Sequence, residues 1–109
     1  MLHALKITLT AQQDLANVHS YLIDAGSMEL ADRFLGEVRQ TMEALRQFPL
    51  IGAMTQYAIN QSMQSLRRVL VWNHVVVYYV VDATIVIVAV VDARRDVVML
   101  LAERSQRTE

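Results

Sequence analysis

The chain has 109 residues, with 10 Lys and Arg against 11 Asp and Glu, a length that suits one compact domain and not two. At 54% apolar and 19% charged, with one proline and three glycines, the composition excludes a disordered or fibrous protein. The absence of cysteine excludes disulfides, thiolate metal ligands and a thiol nucleophile. We expect a single domain over residues 1–109, with a tail at 97–109 whose structure the sequence leaves open.

Charge and hydropathy limit where the protein can act and what it can bind. The N-terminal sequence lacks the basic start, long apolar core and cleavage site of a secretory signal. The uncharged stretch Val69–Val81 is shorter than the roughly 18 residues that a membrane-spanning helix needs. A formal net charge of −1 predicts weak or absent direct binding to nucleic acid. These features predict a cytoplasmic protein that makes no contact with a membrane.

The first third of the chain predicts a strand followed by a helix. Apolar and polar residues alternate over Leu2–Leu9, which is typical of a short strand. Thr10 and Gln13 have the spacing of a capping box, so the helix is expected to begin at about Ala11. Gly26 is the expected end of this helix.

A second helix is predicted directly after the first. Ser27 is a suitable N-cap, and apolar residues recur every three or four positions from Leu30 to Phe48. Pro49 ends the helix because proline disfavours helical backbone in the residue before it. The short connection predicts an antiparallel helix hairpin, and residues 49–64, which follow neither period, are predicted to be a loop.

The C-terminal half predicts three antiparallel strands. Residues rich in β-branched side chains suggest strands over Leu66–Trp72, Val75–Val81 and Thr84–Val91. Asn73–His74 and Asp82–Ala83 fit two-residue turns, and strands joined so tightly must be antiparallel. The sequence therefore predicts an α+β fold, a helix hairpin packed on a four-stranded, mainly antiparallel sheet in the order β-α-α-β-β-β.

The last two predicted strands are almost continuously apolar. Such runs indicate burial on both faces of a sheet. Two helices can cover only one face, so a lone chain is expected to leave Val and Ile side chains of the other face in water. We therefore expect another macromolecule to cover that face.

Four strings of the sequence, in this order and spacing, resemble the RelE/ParE superfamily of bacterial type II toxins. They are LTAQQDLANVHSYL, ADRFLGEVRQTMEALRQFP, MQSLRRVLVWNHVVVYYVVD and VVDARRD, and the likeness extends from Ile7 to Asp96. The second string and the Val-Tyr-Tyr strand are more similar to the ParE branch. The resemblance implies a toxin of a type II toxin-antitoxin system that inhibits DNA gyrase by direct binding and is neutralised by a cognate antitoxin.

The resemblance leaves two alternatives open. RelE-like members are ribosome-dependent mRNA endoribonucleases, and an inactive relative would only bind antitoxin. A homodimer, or a heterotetramer with the antitoxin, is also compatible with the family. In the RNA-cleaving reading, Arg68 and Arg95 would hold phosphate.

Basic and aromatic residues near the strand ends are the candidate contacts with a target. A meander is expected to bring the arginines at the start of the second predicted strand close to those after the fourth, where they could bind phosphate. An exposed indole and imidazole at the hairpin tip could stack on a base or a partner. The candidates for binding a target or phosphate are Arg67, Arg68, Trp72, His74, Arg94 and Arg95.

No catalytic residue is predicted. No His or Tyr follows Tyr79, so the C-terminal His or Tyr of RNA-cleaving relatives has no counterpart. Asp92 stands where such relatives often have histidine, and a carboxylate there would repel phosphate. Without Gly-rich phosphate loops or histidines at ligand spacing, neither a cofactor nor a metal is expected. The protein is therefore predicted to be a non-catalytic inhibitor.

Residues on the third predicted strand and in the tail are the candidate contacts with an antitoxin. Successive residues of a strand point to opposite faces, so one tyrosine of the Tyr-Tyr pair should face whatever covers the far side of the sheet. The candidates are Tyr78, Tyr79, Val97 and Leu100.

Overall fold

The computed structural model of the protein describes residues 2–58 and 65–94, which form two helices on one face of a five-stranded sheet. The sheet order is β1-β5-β4-β3-β2, and only the β1–β5 pair is parallel. The α+β fold with a helix hairpin on a mainly antiparallel sheet is confirmed. The elements are β1 (Ala4–Ile7), α1 (Leu9–Ala25), α2 (Met28–Gln47), β2 (Ala53–Ala58), β3 (Ser65–Val71), β4 (His74–Val81) and β5 (Thr84–Asp92).

The two helices begin at side-chain caps. At α1 the cap is Thr8, whose Oγ1 accepts a hydrogen bond from the Ala11 N–H at 3.2 Å, so the predicted start is two residues late. The backbone of Thr8 is extended, so its hydroxyl can accept a hydrogen bond from the first turn of the helix. Thr10, the predicted cap, lies inside the helix and cannot take this position. Ser27 caps α2 as predicted, with its Oγ 3.1 Å from the Leu30 nitrogen.

The strand β2 is absent from the sequence prediction, which assigned residues 49–64 to a loop. It pairs antiparallel with β3, Ala53 opposite Arg68, and the register shifts between Met54 and Ala58. The edge of β3 supplies partners for the backbone of this segment, so a long-range pairing forms a strand where local alternation is weak. The sheet therefore has five strands, and residues 59–64 lie outside the described part of the chain.

The turn between β3 and β4 lies one residue earlier than predicted. Val71 pairs with His74, so Trp72 and Asn73 form the turn and His74 begins β4. The backbone of Trp72 is left-handed, with φ of 55°, a conformation that costs free energy for a bulky residue. The other turn, Asp82–Ala83, is where the sequence predicts it.

A bulge in β5 sets which side chains face the helices. Val77 pairs with Ala89 and Tyr78 with Ile87, so Val88 is the extra residue. Because of this extra residue, Ile87 and Val90 share the helix face although three positions separate them. The bulge thereby brings Val90 to α1, where its backbone N–H donates to Asp14 Oδ2 at 2.9 Å.

The core on the helix face joins both helices to the sheet. Helix α1 packs on β5 and on α2, and α2 also contacts β1 and β3. This arrangement confirms the predicted antiparallel hairpin. The buried members of this core are Ala11, Phe34, Val38, Met42, Leu45, Val71, Val76, Tyr78, Ile85, Ile87 and Val90.

The far face of the sheet carries a second buried cluster, which corrects an expectation from the sequence. Its members are only 0–6% exposed within this single chain. The cluster spans β3, β4 and β5, and Tyr79 and Val88 pack against it. This cluster is therefore not exposed to solvent in the single chain. Its members are Leu66, Val75, Val77, Ala89 and Val91.

Candidate target-binding site

The β3–β4 turn and the start of β4 place two candidate rings over α2. Trp72 and His74 both meet Phe34 edge-on, with ring centroids 5.5 Å and 5.2 Å from its own. Phe34 is fully buried, whereas Trp72 is 40% exposed. The two rings that the sequence expected as an exposed pair at the hairpin tip thus both contact one buried phenylalanine, and His74 is partly buried.

The imidazole of His74 is partly buried and lies beside polar groups of the turn and of β5. Its Nδ1 lies 3.1 Å from Asn73 Oδ1. The pKa of His74 is lowered, mainly because the ring is partly buried. The nearby Asp92 carboxylate opposes this shift, whereas the Arg94 guanidinium adds to it. The pKa of His74 therefore lies below its ordinary value.

Asp92 and Arg94 form a bidentate ion pair beside His74. The guanidinium Nε lies 3.0 Å from Asp92 Oδ1 and the second nitrogen 2.9 Å from Oδ2, while the Arg94 backbone N–H donates to Oδ1 at 2.8 Å. These bonds hold the pKa of the Asp92 carboxyl well below its usual range and raise the pKa of Arg94. The Arg94 side chain is 85% exposed, but an adjacent carboxylate already balances its charge. A phosphate would have to compete with that carboxylate.

A cleft of about 480 Å³ separates α1 from this end of the sheet. Its walls combine carboxylates, amides, a phenol and an imidazole ring, a guanidinium and four aliphatic side chains. Its polar lining is contributed by Asp14, Asn17, Tyr21, Asn73, His74, Asp92 and Arg94. We call Trp72, His74, Arg94 and this cleft the hairpin-end site.

Arg67 and Tyr78 do not belong to the hairpin-end site, because both hold the turn before β2. A terminal nitrogen of Arg67 donates to the carbonyls of Leu50 at 3.1 Å and Gly52 at 2.9 Å. The Tyr78 hydroxyl accepts from the Gly52 N–H at 2.9 Å and donates to the Pro49 carbonyl at 2.8 Å. Burial raises the pKa of Tyr78. With no exposed surface, Tyr78 stands inside the core and offers no side chain to an antitoxin.

The arginines do not converge as the sequence argument expected. Arg68 pairs with Val77 in mid-sheet, three residues or about 10 Å along β4 from His74, whereas Arg94 lies beyond the His74–Asp92 pair. In an antiparallel meander the start of β3 lies at the opposite end of the sheet from the end of β5, which the expectation overlooked. Arg95 lies outside the described residues, so the structure gives no position for it.

Among the antitoxin candidates, Tyr79 is partly buried and packs against the far-face cluster. Val97 and Leu100 lie outside the described residues. Sequence reasoning missed Tyr21 and Asn17 of the cleft. A signal for Tyr21 exists, because this large aromatic residue lies off the apolar stripe of Leu15 and Leu22 and is 67% exposed.

Two further findings concern the described ranges 2–58 and 65–94. Within them, no group of three or more His, Cys, Asp or Glu side chains is arranged to hold a metal ion. Neither α1 nor α2 has the length and hydropathy to cross a membrane.

Comparison with known proteins agrees with this architecture. A solved structure described as a chromosomal ParDE TA system from P. aeruginosa matches with a TM-score of 0.68 and 18% sequence identity, covering 85% of this chain and 98% of that chain. No curated protein matches the sequence. The family model described as ParE toxin of type II toxin-antitoxin system, parDE, matches residues 5–97. The chain belongs to the ParE toxin family of type II toxin-antitoxin systems.

Proposed function

We propose that this protein inhibits DNA gyrase by direct binding and that a cognate antitoxin neutralises it. The observation that carries the proposal is the match of the ParE toxin family to residues 5–97, which includes every described helix and strand except the first residue of β1. The hairpin-end site is the proposed contact with gyrase. Its exposed indole, buried ring support and surface arginine are the features that dominate protein interfaces.

The geometry of the three candidate arginines that the structure describes favours binding over RNA cleavage. An RNA-cleaving site needs cations that converge where charge develops on the phosphate. Here Arg94 is paired with Asp92, Arg67 is bound to backbone carbonyls, and Arg68 lies on another part of the sheet. This separation supports an inhibitor that acts by surface contact.

The antitoxin is the second proposed partner. The structural relative is described as a ParDE system, and family membership extends the expectation of a cognate antitoxin to this chain. Tyr79, Val97 and Leu100 are the proposed contacts, since Tyr79 borders the far-face cluster. A short reading frame next to this gene, pairing a DNA-binding head with a disordered tail, is the expected source of the antitoxin.

A supercoiling assay tests the proposal. Purified protein at micromolar excess should block ATP-dependent supercoiling by gyrase, and the product of the adjacent reading frame should restore it. The same protein added to translating ribosomes should leave mRNA intact. Cleaved mRNA together with unaffected gyrase would instead establish the ribonuclease activity of the RelE branch, and the absence of both effects would leave a protein that only binds antitoxin.

A further inference from the structure

The strand β5 loses one of its two neighbours part of the way along. β1 pairs with β5 only as far as Ile7, opposite Ile87, and the Thr8 N–H then donates to the Ile87 carbonyl at 3.1 Å. On the other side, β4 continues alongside β5 to its end. No further strand of the described ranges 2–58 and 65–94 pairs with β5. After Ile87, β5 therefore has one edge that no described strand covers.

The backbone N–H of Val90 points to this edge. Just past the end of β5, the Ala93 N–H donates to the Asn73 carbonyl at 2.9 Å, on the β4 side. Because the N–H groups of successive strand residues point to opposite sides, that of Val90 faces away from β4. A main-chain donor within the fold needs an acceptor. The Asp14 carboxylate of α1 supplies it, with Oδ2 lying 2.9 Å from the Val90 nitrogen.

The position of Asp14 in α1 suits this contact and not a role at the helix end. α1 begins at Leu9, and no acidic residue lies in its first turn, where a carboxylate would interact with the helix dipole. Asp14 lies more than one turn further along the helix and lines the cleft. The Asp14–Val90 hydrogen bond therefore links α1 to a part of β5 that is 76 positions away in the chain.

This hydrogen bond acts on the part of β5 that leads into the hairpin-end site. Val90 lies between Asp92 and the bulge at Val88, where the strand ladder is interrupted. Asp92 in turn binds the guanidinium and the backbone N–H of Arg94. Because the Arg94 side chain is 85% exposed, these bonds and the backbone of β5 set its position. After the bulge, β4 holds the strand on one side and Asp14 holds it on the other.

We propose that Asp14 is a positioning residue of the hairpin-end site. By holding the Val90 N–H, Asp14 fixes the end of β5 against α1 and so sets the place at which Arg94 meets a partner. Asp14 acts through Val90 and Asp92 and needs no contact with that partner. Its role in recognition rests on the proposed function, the inhibition of gyrase, whereas its role in fixing β5 can be measured on the free protein.

Amide hydrogen exchange of the free protein, followed by NMR, tests whether Asp14 fixes the end of β5. In Asp14→Ala the Val90 amide should exchange about 10-fold faster or more, because it loses its acceptor beside an open cleft. The Ala93 amide, which bonds to Asn73, should also exchange about 3-fold faster or more, because the strand end is held less firmly. Asp14→Asn keeps an acceptor oxygen and should restore both exchange rates.

The matched control is Asp24→Ala, which removes a carboxylate from an exposed position of the same helix. Asp24 lies about 15 Å further along the helix axis than Asp14. Asp24→Ala should therefore leave the exchange rates of both amides unchanged. Circular dichroism verifies that each variant is folded.

Binding of the labelled chains to purified gyrase tests the role of Asp14 in recognition. Asp14→Ala should bind about 10-fold more weakly than the wild type, because the site is less well organised before it meets gyrase. Asp14→Asn and Asp24→Ala should bind like the wild type. In an Arg94→Ala background, Asp14→Ala should weaken binding by less than about 3-fold, because the side chain that Asp14 positions is missing. A loss of stability alone would lower binding equally in both backgrounds.

Three results would overturn the proposal. They are a Val90 amide whose exchange Asp14→Ala leaves unchanged, an Ala93 amide that does not respond when the Val90 amide does, and equal losses of gyrase binding in the wild-type and Arg94→Ala backgrounds. A wild-type chain that does not bind gyrase would instead contradict the proposed function, and the two exchange rates would then decide the inference about Asp14.

Discussion

At the scale of single residues, Tyr78 has a role that its polarity alone does not suggest. Within residues 2–58 and 65–94 it is the largest fully buried side chain, and its hydroxyl bonds to both Pro49 and Gly52. A buried polar group is stabilising only while its partners are present. Tyr78 therefore ties the turn before β2 to the centre of β4 and fixes the exposed apolar residues of that turn.

Tyr78→Phe should lower the free energy of unfolding by about 1 to 3 kcal/mol, because it leaves a buried N–H and a carbonyl without their partner. Urea denaturation measures this loss. Tyr21→Phe, at an exposed tyrosine of α1, is the control and should change stability little. Equal effects of the two substitutions would show that the buried hydroxyl does not stabilise the turn.

His74 should make stability depend on pH. Its folded pKa is lowered by burial, so in the range between that pKa and the ordinary value of about 6.5 the unfolded chain binds more protons. The free energy of unfolding should consequently fall as the pH decreases from about 7.5 through 6.5, and level off below the folded pKa.

Urea denaturation of the wild type and of His74→Asn at each pH isolates this contribution, because His3 and His19 are present in both proteins. The wild type should lose more stability on acidification than the variant does. Parallel pH profiles for the two proteins would contradict the assignment.

At the scale of elements, the helices follow from local signals. The Ser27 hydroxyl bonds to the Leu30 N–H, and Ser27→Ala should lower the free energy of unfolding by about 1 kcal/mol. Ser20→Ala, at an exposed position within α1, removes a hydroxyl without removing a cap and should be neutral or slightly stabilising. Thermal unfolding compares the stabilities of the two variants. A greater loss of stability in Ser20→Ala than in Ser27→Ala would contradict the role of Ser27 as a cap.

The strands show which parts of the fold cannot be predicted from local sequence patterns. α2 and the meander could be predicted because a cap, a 3.6-residue period and β-branched runs lie within each segment. β2 could not, because its pairing depends on residues of β3, up to 15 positions away along the chain. The Val88 bulge and the left-handed Trp72 were equally hidden, since both arise from strand register.

The candidate site likewise has some features that the sequence predicts and others that depend on tertiary packing. The neighbouring positions Trp72 and His74 could be paired from sequence, whereas their shared support, Phe34, required the packing of α2. The grouping of Arg67 and Arg68 with Arg94 failed, because it depended on which ends of the strands meet.

At the scale of the whole molecule, the chain buries an apolar cluster on each face of its sheet, while Leu70 of β3 and Met54 of β2 remain 66% and 59% exposed. The far face does not force the protein to bind another macromolecule, as the sequence had suggested. The hairpin-end site is the surface proposed for gyrase.

The most direct measurement of the central claim is a binding titration of the labelled chain with purified gyrase, using a fluorophore on Ser20→Cys. Saturable binding is predicted, with affinity at least about 10-fold weaker for Arg94→Glu, which places a carboxylate beside Asp92, and unchanged for the exposed control Arg39→Glu. No binding of the wild-type chain at micromolar gyrase would contradict the account.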